Sequence, residues 1–268
     1  MSHANQGAPG NNNKVWPVVL LVWLCIMGLT AGLVYSLKTF GPYLLRRDQS
    51  QASWHLVEEA WGIWGVRGTG PQARKAAAAR AEALFREAAE QSPNNGRYRL
   101  NIARMLMEQD RLEEAFDEAE RALPISKVDN PMLYSTLANL SVELKRWESA
   151  EKYARVGTEI DPKDPDNFQL LAQSLFEQGK PEEAVKVWTH RIENFPATPD
   201  QRALAAGYAT RAGRFEAAVG WFQVPAEVGQ LRADQWLLYA VAQAGNGDLD
   251  GAARSLSRFN QDSGRDTH

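Results

Sequence analysis

Alanine recurs along this chain at a nearly constant step: Ala81, Ala115, Ala150, Ala184, Ala218 and Ala252, spaced by 34, 35, 34, 34 and 34 residues. Such a period is the mark of one supersecondary unit repeated, and it constrains the fold more than any local motif. Three residues before most of these alanines sits a large apolar residue, Leu112, Trp147, Phe215 or Leu249, and Pro181 takes the place before Ala184. Two residues earlier again stand Gly179, Gly213 and Gly247, with Asp110 and Lys145 in the other units. Glycine there admits the positive φ of a tight turn between helices. The alanine then falls where two helices cross too closely for a larger side chain. Twelve residues on, Pro93, Pro162 and Pro196 close the second helix, because proline has no amide hydrogen to give.

The first helix of each unit repeats as well. Ile102-Ala103, Leu137-Ala138, Leu171-Ala172, Ala205-Ala206 and Tyr239-Ala240 hold one phase, and Tyr134, Phe168 and Trp236 precede by three residues. This is helical spacing, with small residues turned towards a neighbouring helix. Together these residues resemble the tetratricopeptide repeat family, well over 96–259 and partially over 72–95. An ordinary amphipathic bundle would not hold the phase over five units.

The fold expected is all-α: a helical-hairpin solenoid of the tetratricopeptide type, preceded by a single transmembrane helix. The division expected is a disordered polar tail over 1–14, a transmembrane helix over 15–37, a linker over 38–71 with an amphipathic helix, an array over 72–259 and a polar tail over 260–268. The units fall at about 72–95 (partial), 96–130, 131–164, 165–198, 199–232 and 233–259. Several departures are expected. Pro124 ends one second helix early. Pro225 cuts another short near Val224, leaving an irregular stretch through Arg232. Gly62, Gly65, Gly68, Gly70 and Pro71 read as a loop, with a helix upstream whose face holds Val57, Ala60, Trp61 and Trp64. Nine polar residues follow Phe259, so no amphipathic cap over the last unit is expected there.

Val15 to Leu37 contains no charged residue. Twenty-three helical residues span about 34 Å, enough for a hydrocarbon core of about 30 Å. Lys14 and Lys38 bracket the run, with Trp16, Tyr35, Phe40 and Tyr43 at its margins. The run is too long for a cleaved signal peptide and no small-residue cleavage site follows it. Gly28, Gly32 and Ser36 form a small-residue ridge of the kind used in contacts between membrane helices, either with a second copy as a homodimer or with another membrane protein. Orientation is finely balanced. Lys38, Arg46 and Arg47 after the span favour a cytoplasmic array. The short leading tail, and what the resemblance implies for anchored arrays of bacterial envelopes, lean periplasmic.

Residues 1–50 carry four basic groups and one acidic, a net of +3; the whole chain is −3, so the remainder is −6. A mildly acidic array has no nucleic-acid footprint. The single cysteine, Cys25, excludes a disulfide within the chain. His3, His55, His190 and His268 have no ligand spacing, and no phosphate loop or nucleophile elbow occurs. Glu113-Glu114 and Glu182-Glu183 read as first-turn acids that complement helix dipoles. No catalytic residue, cofactor or metal is expected, and the function expected is binding.

The resemblance implies that the first helices of successive units line a concave face. The residues offered there are Arg97, Asn101, Arg104 and Glu108; Ser135, Asn139 and Glu143; Gln169, Gln173, Phe176 and Glu177; and Gly207 and Arg211. Amides such as Asn139 and Gln173 suit a peptide backbone, and Arg104 and Arg211 suit acidic side chains. Chaperone-docking members grip a C-terminal carboxylate at places that here hold Leu100, Arg104, Thr136, Asp166 and Leu170, where only Arg104 is basic. The reading is a membrane-anchored scaffold or assembly factor that binds other proteins in a bacterial envelope complex of respiratory, cytochrome-maturation or secretion type. An organelle import or chaperone-docking receptor is the alternative, and an enzyme a distant third.

Overall fold

The structure is a computed structural model and describes residues 53–68, 70–126 and 130–263. The apolar run 15–37, with Gly28, Gly32 and Ser36, lies outside the described residues. Among those residues no helix is long and apolar enough to cross a membrane.

Twelve α-helices follow one another as antiparallel pairs among the described residues: α1 (53–65) with α2 (Pro71–Gln91), α3 (Gly96–Met107) with α4 (Leu112–Ala122), and α5 (Pro131–Glu143) with α6 (Trp147–Ile160). The remaining pairs are α7 (Pro165–Glu177) with α8 (Pro181–Asn194), α9 (Pro199–Arg211) with α10 (Phe215–Glu227), and α11 (Ala233–Gly245) with α12 (Leu249–Ser263). The chain after α4 passes into a 3-10 turn, Leu123–Ile125, at Pro124.

The turns between paired helices share one construction. Asp110, Lys145, Gly179, Gly213 and Gly247 all take positive φ, between 56° and 87°. The next residue's amide reaches back to the helix, as in Arg146 N–H to Ser141 C=O (2.7 Å) and Arg214 N–H to Ala209 C=O (2.8 Å). This is the Schellman arrangement, which uses carbonyls that the helix end would otherwise leave bare. First helices start on side-chain caps: Asn95, Asn130, Asp164 and Thr198 each accept an amide of the first turn.

The recurring alanines meet at the crossing inside each hairpin. Ala103 and Ala115, Ala138 and Ala150, Ala172 and Ala184, and Ala206 and Ala218 are wholly buried, and Ala240 and Ala252 almost so. Larger side chains fill the spaces between hairpins, with Phe85, Trp188 and Phe222 wholly enclosed.

Two carboxylates are buried within α2–α4. Glu82 of α2 takes Arg86 (2.8 Å), Arg111 (3.0 Å) and Gln109 (2.7 Å). Glu118 of α4 takes Arg99 (3.0 Å), Arg121 (3.0 Å) and Arg86 (3.4 Å). Each buried charge is thus multiply paired, as its desolvation requires.

Three local expectations change. Pro225 does not end α10, which runs on to Glu227, where Val228 N–H still reaches Val224 C=O. Proline forfeits one amide bond near a helix end, and its ring is fully buried; Gly229, at φ 67°, makes the stop. Gly62 and Gly65 lie inside α1, because their β positions face open space while Val57, Ala60 and Trp64 are buried. The polar residues from Asn260 continue α12 to Ser263, whose hydroxyl donates to Phe259 C=O (2.7 Å).

Candidate protein-binding face

The curvature follows from unequal spacing. From α3 onward, first helices of neighbouring hairpins touch at two steps, α5 with α7 and α9 with α11, while no two second helices make a comparable contact. Crowding on one side and splay on the other makes the first-helix side concave.

The side chains singled out in the sequence fall on these helices with different freedom. Arg97, Glu108, Asn139, Glu143, Gln169, Glu177 and Arg211 are exposed; Asn101, Arg104, Ser135, Gln173 and Phe176 are half-buried; Gly207 is buried. The Ser135 hydroxyl is spent on Met132 C=O (3.1 Å). Asn101, Asn139 and Gln173, one from each of three successive first helices, make no side-chain hydrogen bond to another described residue. They form a row of unused amide donors and acceptors, suited to a polypeptide backbone.

Arginines are held by aromatic rings. The Arg104 guanidinium lies 5.5 Å from the Trp61 ring, joining α3 to α1. That of Arg211 lies 4.9 Å from both the Phe176 and Tyr208 rings, which meet edge to face at 5.5 Å. Such stacking fixes a cation without neutralising it. Burial raises the Tyr208 hydroxyl above its ordinary pKa; the Arg211 charge opposes that and Glu177 adds to it. The sequence reading missed Tyr208 entirely and took Trp61 only as a face of α1. Tyr208 stands one residue from Gly207 in a helix whose other concave positions are small, so only the contact across to Phe176 reveals it.

The places of a carboxylate clamp are otherwise used. Leu100 is 3% exposed, and the Thr136 hydroxyl donates to Met132 C=O (2.7 Å). No group of three His, Cys, Asp or Glu side chains that could hold a metal ion occurs among the described residues.

Two stretches, 77–130 and 170–227, match the tetratricopeptide repeat family model. No curated protein matches the chain in sequence. Solved structures share the fold. PilW, described as a widely conserved type IV pilus biogenesis factor, is 19% identical with a TM-score of 0.59, over 79% of this chain and 93% of that one. The pilF protein of Pseudomonas aeruginosa is 17% identical with a TM-score of 0.60, over 81% and 92%. YrrB, described as having an unusual peptide-binding site, is 19% identical with a TM-score of 0.57, over 65% and 90%. The helical array thus shares the fold of these solved structures, and two stretches of it match tetratricopeptide repeats.

Proposed function

We propose that this chain is a membrane-anchored scaffold that holds a partner protein along its concave face in a bacterial envelope assembly. The observation that carries the reading is the amide row Asn101, Asn139 and Gln173, unused within the fold and lying on the inner side of the curve. The uncharged run Val15–Leu37 supports an anchor, and the loading of Lys38, Arg46 and Arg47 after it leaves a periplasmic array favoured only narrowly over a cytoplasmic one. PilW and YrrB illustrate two uses of such an array, pilus biogenesis and peptide binding. A respiratory, cytochrome-maturation or secretion assembly would use the same face.

A photo-crosslinking amino acid at Asn139, on the inner face, is compared with one at exposed Lys186 of α8, on the outer face. In bacterial membranes the inner position is expected to trap one discrete partner and the outer position none. Equal labelling from both overturns the groove. Alkaline extraction tests the anchor, which fails if the full chain leaves the membrane pellet. Protease protection in spheroplasts then fixes the side.

A further inference from the structure

We infer that the concave face shared by α7, α9 and α11 is a subsite for an aspartate or glutamate side chain, carried by a partner segment with aliphatic residues beside it. This rests on the groove reading and names what one half of the groove selects.

Arg211 is built into place. Its plane is stacked near Phe176 and Tyr208, and its Nε–H donates to Gly207 C=O (3.2 Å). The two terminal nitrogens remain. Among the described residues they enter no ion pair, and the side chain is exposed. Those two nitrogens are the edge that grips a carboxylate through two parallel hydrogen bonds. Arg191 is stacked in a similar way, on Phe168 and Phe195, but it is 4% exposed and gives Nη1 to Pro196 C=O (3.1 Å). Exposure separates the two arginines.

The wall beside Arg211 is apolar. Leu238 of α11 reaches within 3.5 Å of the point where a Gly207 β-carbon would stand. This ties α11 to the turn of α9 that precedes Arg211. Leu237 and Val241, one turn apart on α11, are 40% and 47% exposed. Towards α5 the surface changes character and presents the amides of Gln173 and Asn139. The groove thus continues on both sides of Arg211, so the occupant is a segment passing through and its acid is a side chain, not a chain end. Glu177, exposed one unit back, is the local charge that opposes such a ligand.

The probes are fluorescein-labelled octapeptides Gly-Ser-Leu-X-Leu-Val-Ser-Gly, amidated at the C-terminus, with X as Glu, Gln or Lys. Anisotropy is read with the full chain in detergent micelles. The Glu peptide is expected to bind at least about tenfold more tightly than the Gln peptide. Arg211→Gln should abolish that preference, with an unchanged circular dichroism spectrum and melting temperature reporting the intact fold. Glu177→Gln should tighten the Glu peptide by about two- to threefold and spare the Gln peptide. A Gln or Lys peptide that binds as well as the Glu peptide overturns this inference and leaves the groove standing. Binding of none overturns both. Self-association lost in Leu237→Ser, with no peptide bound, assigns the face to a second copy and overturns it equally.

Discussion

Gly157 on α6 packs so tightly against Asn167 on α7 that a β-carbon at 157 would lie 2.6 Å from Asn167 Oδ1. Asn167 is wholly buried, and its Nδ2 donates to Asp164 Oδ2 (3.0 Å) at the cap of α7. Gly157→Ala gains about 1 kcal/mol of helix propensity but overpacks this contact at a cost of about 1–3 kcal/mol. A net loss of up to about 2 kcal/mol is expected in denaturant titration. Gly207→Ala is the control, since its β-carbon would sit in ordinary contact with Leu238 at 3.5 Å. That variant should gain about 0.5–1 kcal/mol from helix propensity alone.

Ala184 marks the hairpin crossing of α7 and α8 and is wholly buried. Ala184→Leu should destabilise by about 1–3 kcal/mol. Glu183→Gln beside it removes only an exposed contact to Arg155 at 3.5 Å and should stay within about 0.5 kcal/mol of the parent. Equal thermal melts for the two would displace the repeat register by at least one residue.

Lys145 holds φ 56° in a turn where three other units use glycine. A side chain in that region costs about 1–2 kcal/mol, against about 0.4–1 kcal/mol that glycine loses through a freer unfolded chain. Lys145→Gly should therefore stabilise by about 0.5–1 kcal/mol, read as a higher denaturant midpoint with an unchanged slope.

Glu151 couples neighbouring units through pH. Burial pushes its carboxyl up, but hydrogen bonds from Arg155, Lys180 and Gln178 together outweigh burial and hold it at about 2, below the ordinary 4.5. A depressed pKa gives stability that is complete above about pH 4.5 and is lost as the pH falls towards about 2. Melting temperatures of the parent and Glu151→Gln should converge across that window. A gap that stays constant would remove Glu151 from the acid response.

The fold was legible because one period carried turn, crossing and stop signals together: Gly213, Ala218 and Pro196 each recur in phase with their counterparts. Local grammar failed where packing overrode it. Pro225 reads as a breaker, yet its buried ring and the nearby helix end make the lost amide bond cheap. Gly62 reads as a loop, yet Trp61 and Trp64 on either side of it pin the helix, Trp61 against Phe85 at 5.3 Å. The concave positions could be assigned from repeat phase, as with Asn139 and Gln173. What those positions touch could not. Phe176 and Tyr208 stand 32 residues apart in different units, and their meeting depends on how far one hairpin is rotated on the next.

The paired carboxylates Glu82 and Glu118 carry a consequence for the order in which the array comes apart. Arg86 and Glu82 both lie on α2, so peeling α2 away would break Arg86–Glu118 and Glu82–Arg111 together and leave Glu118 with Arg99 and Arg121 alone. A stack that otherwise unzips one hairpin at a time is locked at this end into a single cooperative block of α2, α3 and α4. The opposite end has no such lock: Leu249 and Leu256 of α12 are 71% and 42% exposed. Hydrogen exchange should therefore advance as a front from α12 and reach α2 last.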